Sequence, residues 1–108
     1  MFCYMYMIRC KNNTLYTGVA NDYLVRWRQH YKGTGARYVR SNGFLKPVFL
    51  HEFSDKSSAM KEESFTKKQT RFYKEELIKS DLNILNLDPA LPEKKWKKSG
   101  YKGKMWWK

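Results

Sequence analysis

Residues 4–18 read YMYMIRCKNNTLYTG: two runs rich in aromatic and β-branched residues on either side of Lys11-Asn12-Asn13. Such runs around a short polar break form a β-hairpin, here with strands over about residues 4–9 and 14–19. The turn decides which side chains meet. Tyr6 and Tyr16 are ten residues apart on paired strands, and they share a sheet face only if an odd number of residues forms the turn, or if a bulge intervenes. A two-residue Asn12-Asn13 turn would pair position 9 with 16 and put the two tyrosines on opposite faces. Aromatic packing alone also accounts for both residues.

Beyond the hairpin the text changes period. Asp22, or Asn21, is an N-cap for a helix running to about Tyr31, and Lys32-Gly33-Thr34-Gly35 stops it. On that helix Leu24, Trp27 and Tyr31 make an apolar face, with Arg26 and His30, one turn apart, on its flank. The stretch KGTGARYVR (32–40) reads as a loop. Its Arg37 and Arg40 offer charge and Tyr38 a stacking face to a phosphate backbone, and a solvated basic turn reads the same. PVFLHEF (47–53) is a third strand with Pro47 at its mouth. Ser54 to Ser58 supply caps for a helix from about Ser57 to Lys68, and Thr70 caps another from Arg71 to about Lys79. The order β-β-α-β-α-α describes an α/β (α+β) domain, a three-stranded antiparallel sheet flanked by helices, over residues 1–85. From Asn86 the chain turns to lysine and tryptophan, with two prolines and only two acids, marking residues 86–108 as a basic extension. Its Trp96, Trp106 and Trp107 can stack on bases, fold back on the domain, or belong to a disordered tail.

Composition narrows the function. The chain has 108 residues, 22 Lys and Arg against 10 Asp and Glu, and a net charge of +12, with the basic residues interleaved among aromatics. That surface draws polyanions, above all nucleic acid. No apolar run approaches the ~20 residues of a membrane helix. The opening MFCYMYMIRC lacks a small-residue cleavage site, so a soluble, intracellular (cytoplasmic) protein is expected. Cys3 and Cys10, seven positions apart on one strand, point to opposite faces and lie ~23 Å apart, which leaves them reduced packing residues. No CxxC pair or zinc-spaced cluster occurs.

Glu63 is the sharpest anomaly. It falls on the stripe of Ala59 and Met60 in the second long helix, and an inward carboxylate must be paired with a cation or hold a metal. A salt bridge to Arg or Lys satisfies it as well as a metal does.

Together, YMYMIRC, LYTG, RWRQH, GARYVR and ESFTK, in this order and at matching distances over about residues 3–80, resemble the GIY-YIG nuclease domain, and more closely its small stand-alone bacterial members, the YhbQ-like group. Tyr4 stands where the motif name has Gly, and Met5 and Thr17 replace Ile. The resemblance implies hydrolysis of DNA phosphodiesters with one divalent metal, Mg²⁺ or Mn²⁺. Carried across, Tyr16 resembles the residue that activates the attacking water and Tyr6 its hydrogen-bonding neighbour. Arg26 matches the arginine on the scissile phosphate, His30 a His/Tyr position near the nucleophile, and Glu63 the carboxylate that binds the metal. Lys67, in ESFTK, joins Arg37, Tyr38 and Arg40 as an expected nucleic-acid contact.

The residue types suit that chemistry independently. Mg²⁺ commonly takes one or two protein carboxylates plus substrate phosphate. A guanidinium fork fits phosphate oxygens and stays charged. Either Tyr16 or His30 can serve as general base. The alternative is a DNA- or RNA-binding module with the same fold and no useful catalysis, or a structural domain recruited by a partner nuclease; an active enzyme would itself depend on attached domains or a partner protein for targeting.

Overall fold

The computed structural model describes residues 2–98, and the turn of the hairpin settles the tyrosine question. Strand β1 (Cys3–Cys10) pairs antiparallel with β2 (Leu15–Ala20) in a register that sets Tyr6 opposite Gly18 and Ile8 opposite Tyr16. Tyr6 and Tyr16 therefore share a face. The turn has three residues: Asn13 N–H donates to the Cys10 carbonyl (2.9 Å) and Cys10 N–H to the Thr14 carbonyl (2.9 Å). Asn13 takes the left-handed conformation, φ 67°, which asparagine tolerates better than most residues and which closes three-residue hairpins.

Helix α1 (Tyr23–Lys32) begins where Asp22 accepts from Val25 N–H (3.2 Å) and ends at Gly33, φ 80°. A short helix, α2 (Arg37–Asn42), follows within the stretch read as a loop. Only residues 33–36 separate the two, and six residues are too few for helical periodicity to show in sequence. Strand β3 is longer than expected, Phe44–Phe53, and pairs with β1, so the sheet order is β2-β1-β3. Pro47 lies within the strand, at a register shift between Met7 and Ile8; the irregularity and the edge position accommodate its missing N–H. Helices α3 (Lys56–Lys67) and α4 (Arg71–Lys79) are capped by Asp55 and Thr70. Short helices α5 (Ile84–Leu87) and α6 (Leu91–Lys98) complete the described chain. The expected order thus holds, with α2 inserted before β3.

The sheet buries both faces. On one, Tyr6, Ile8 and Cys10 pack with Tyr23, Leu24, Trp27, Val39, Phe44, Leu50 and Trp96. On the other, Met5, Met7 and Phe49 meet Leu77 and Ile78. Cys3 and Cys10 are buried and unbonded. The exposed edge of β3 is plugged by buried Asn83, whose amide accepts from Leu50 N–H (3.1 Å) and donates to the Val48 carbonyl (2.8 Å), imitating a further strand. Trp96 is 7 % exposed and belongs to the core, the folded-back reading of that residue. Trp106 and Trp107 lie outside the described residues.

Two inward assignments change. The buried stripe of α1 is Tyr23, Leu24, Trp27 and His30, and Tyr31 is 52 % exposed. Reading His30 as polar moved the expected stripe one position too far. On α3, Ala59 and Thr66 face inward while Met60 is exposed.

Candidate active site

The face of the sheet under α1 gathers the tyrosines and the histidine. His30 is 2 % exposed, and its Nε2 lies 2.7 Å from the Tyr6 hydroxyl. Its other ring nitrogen, Nδ1, accepts from Ala36 N–H at 3.3 Å. A backbone N–H can only donate, so Nδ1 is the unprotonated nitrogen, Nε2 carries the proton, and Nε2–H donates to Tyr6 Oη. The Tyr6 hydroxyl is then free to turn its own proton away from His30. Burial and the charge of Arg26 push the His30 pKa down to about 4. The imidazole is therefore neutral at pH 7, with its one lone pair occupied by Ala36.

Two glycines permit this geometry by close approach. A Cβ at Gly18 would come within 2.6 Å of Tyr6 Oη and 3.0 Å of the Tyr16 ring. A Cβ at Gly35 would lie 2.5 Å from His30 Nδ1, so only glycine lets the α1–α2 connection bring Ala36 N–H onto the imidazole. The Gly18 of LYTG thus leaves space for the Tyr6 phenol. The role of Gly35 is missed by sequence reasoning, because the contact exists only once α1 and α2 have packed.

Tyr16 is half-buried, with its ring 5.3 Å from His30, 6.4 Å from Tyr6 and stacked 5.9 Å from Tyr38. Arg26 holds Gln29 Oε1 at 2.9 Å and reaches the Tyr6 hydroxyl. Burial raises the Tyr6 pKa well above the ordinary tyrosine range, Tyr16 and Glu63 add to the rise, and Arg26 opposes it by charge and hydrogen bonding. Tyr6 is therefore a hydroxyl donor at neutral pH.

Glu63 enters from α3, which packs against β1 and β2. Its side chain is 19 % exposed, and Lys67 sits one turn on with Nζ 3.6 Å from Oε2 and 5.9 Å from the centre of the Tyr16 ring. The salt-bridge reading of Glu63 therefore describes this structure. Among the described residues no three His, Cys, Asp or Glu side chains are grouped to hold a metal. Arg37, Tyr38 and Arg40 are exposed on α2, and Tyr38 connects that helix to Tyr16.

The fold is that of a nuclease family: the chain belongs to the GIY-YIG family, and the sequence model of the GIY-YIG catalytic domain matches residues 2–76. A UPF0213 protein of Oceanobacillus iheyensis is 40 % identical over 75 residues, covering 69 % of this chain and 87 % of the relative. The UPF0213 protein YhbQ of Salmonella typhimurium is also 40 % identical over 75 residues, covering 69 % and 75 %. The solution NMR structure of a UPF0213 protein from Bacillus halodurans matches with a TM-score of 0.51 and 33 % identity, over 84 % of this chain and 97 % of that one. No helix among the described residues is long and apolar enough to cross a membrane.

Proposed function

We propose that this chain is a divalent-metal-dependent endonuclease that hydrolyses DNA phosphodiester bonds at Tyr6, Tyr16, Arg26, His30 and Glu63. The observation that carries the reading is the Ala36–His30–Tyr6 relay of hydrogen bonds, which orients a hydroxyl donor next to Tyr16 and Arg26.

Each residue then has a defined task. Arg26 keeps its charge throughout and takes the scissile phosphate. Tyr16 is the general base: it receives the proton of the attacking water as that oxygen bonds to phosphorus and the opposite P–O bond breaks. His30 positions Tyr6 and is not the base, because its free lone pair is engaged and its pKa is low. Tyr6 stands beside Tyr16 in that step as a neutral hydroxyl, held by His30.

The donor set suits Mg²⁺ or Mn²⁺ rather than a structural zinc: a carboxylate on a partly open site, with no group of three His, Cys, Asp or Glu side chains among the described residues. A divalent ion on Glu63 would polarise the phosphoryl oxygen and stabilise the leaving oxygen. Glu63 is the residue that would hold it, with Lys67 swinging off the carboxylate toward the phosphate backbone.

The Lys67–Glu63 pair favours a second reading, a nucleic-acid-binding module whose carboxylate is satisfied by lysine. One experiment separates the two. Purified protein, Glu63→Ala and Tyr16→Phe are incubated with linear duplex, single-stranded and branched DNA, with Mg²⁺, Mn²⁺ or chelator. The nuclease reading expects metal-dependent cleavage that both substitutions abolish. Equal cleavage by wild type and Glu63→Ala would sink the site, and binding without cleavage under either metal would establish the module.

A further inference from the structure

Behind His30 a cavity of about 220 Å³ opens between the hairpin turn and α2, lined by Lys11, His30, Tyr31, Gly33, Val39, Arg40, Gly43 and Phe44. At ~30 Å³ per water that is room for an anion with part of its hydration. Its two cations are Lys11, the first turn residue, and Arg40, from α2. The turn is fastened to α2 by Lys11 N–H donating to the Gly43 carbonyl (2.8 Å) and by the Asn12–Asn42 side-chain hydrogen bond. Two left-handed glycines frame the space. Gly43, φ 78°, lies under the Lys11 stem, where a Cβ would press to 3.0 Å, and Gly33, φ 80°, lies under the Arg40 stem.

The charge here is uncompensated. Between Asp22 and Glu52 the chain has six basic residues and no acid. Among the described residues neither Lys11 nor Arg40 has an ion pair, and every ion pair there uses an acid from the segment after residue 51. Two cations that line one recess, neither ion-paired among the described residues, favour an anion there.

We propose that Lys11 and Arg40 jointly grip one backbone phosphate of the nucleic-acid strand, the neighbour of the phosphate at Arg26. The two subsites share a wall, since the same imidazole bonds Tyr6 on one side and lines the cavity on the other. This deepens the nuclease reading and rests on it: the substrate must extend past the scissile bond on the α2 side.

The test is a double-substitution cycle on the full chain, Lys11→Ala, Arg40→Ala and both, with Lys79→Ala as control. Binding of a labelled DNA duplex is followed by fluorescence anisotropy across salt concentrations in chelator, so that cleavage plays no part. Two cations on one phosphate are coupled: the double variant should lose less affinity than the product of the single losses by at least about threefold. Its log K against log salt slope should fall by about 0.9, one phosphate's worth, with Lys79→Ala unchanged. With Mg²⁺ present, the double variant's loss on the oligonucleotide should exceed its loss on bis(p-nitrophenyl) phosphate, a diester lacking the neighbouring phosphate, by at least tenfold. Additive losses, or a slope equal to wild type, would overturn the shared-phosphate subsite even if the enzyme cleaves. Coupled losses in a protein that never cleaves would support the subsite while the nuclease reading fails.

Discussion

Between Asp22 and Glu52 the chain holds six basic residues and no acid, whereas residues 52–98 set eleven basic residues against nine acids. The second segment therefore has more cations and a balance of only +2. Structurally it neutralises itself: Lys67–Glu63, Arg71–Glu75, Lys79–Glu76, Lys94–Asp88 and Lys97–Glu93 are all ion pairs within it, mostly one helical turn apart. Exposed pairs of this kind add little stability, but they cancel the local field. The first segment presents Arg26, Arg37 and Arg40 beside the tyrosine–histidine cluster. Placement relative to acids, rather than the count of lysines, decides where a polyanion would settle.

The comparison can be broken at several points, the largest effect first. Arg26→Ala should lower kcat/KM for DNA cleavage by about 10²–10³, as losing one preorganised donor to a reacting oxyanion does. The melting temperature should scarcely move, because Arg26 is only half-buried. A comparable loss of stability with the loss of activity would make Arg26 structural.

His30 should make the site half acid-sensitive. Its folded pKa, about 4, lies below the unfolded value of 6.5, so between those pH values the unfolded chain binds the extra proton. The stability His30 contributes is complete above pH 6.5 and declines as pH falls toward 4, by up to about 3 kcal/mol. Urea denaturation at pH 7 and pH 4.5 would show it, and His30→Asn should flatten the dependence; an identical pH profile in the variant would refute the assignment. Trp96→Ala should cost a similar amount, about 3 kcal/mol, because α6 is held by that buried ring. Chemical denaturation with no change in midpoint would show that α6 is not part of the cooperative fold.

Smaller effects separate the two segments directly. Arg37→Glu should weaken DNA binding about tenfold at low salt, while Lys79→Glu, in the self-neutralised segment, should change it less than twofold. Equal losses would mean that net charge alone governs binding. The smallest expected change is in stability on Glu76→Gln, within about 0.5 kcal/mol by thermal melts.

Much of the fold was legible in sequence because its signals are local. Asp22, Thr70 and Gly33 cap or stop helices through bonds to residues within a turn, and the expected span Arg71–Lys79 is the observed one. The family motifs located the candidate residues for the same reason: their order along the chain survives without knowledge of contacts. Where sequence reading slipped, the missing information was long-range. Tyr31 was assigned to the core in place of His30, since a histidine's burial depends on partners from other elements, Tyr6 on β1 and Ala36 beyond Gly35. Lys11 carried no signal, because its neighbours Gly43 and Arg40 come from the far side of α1.

Sequence by itself determined the class of this protein: the alternation of strand and helix, the basic balance, and the residues that could perform phosphodiester chemistry. The tertiary structure decided how those residues are arranged. A left-handed Asn13 set the hairpin parity that puts Tyr6 and Tyr16 on one face. Ala36 N–H chose the tautomer of His30, and burial in the core cluster under α1 turned Trp96 from a candidate base-stacking residue into core. Turn conformation, tautomer and burial are set by which distant atoms come within a few ångströms, and no local pattern of residues encodes that.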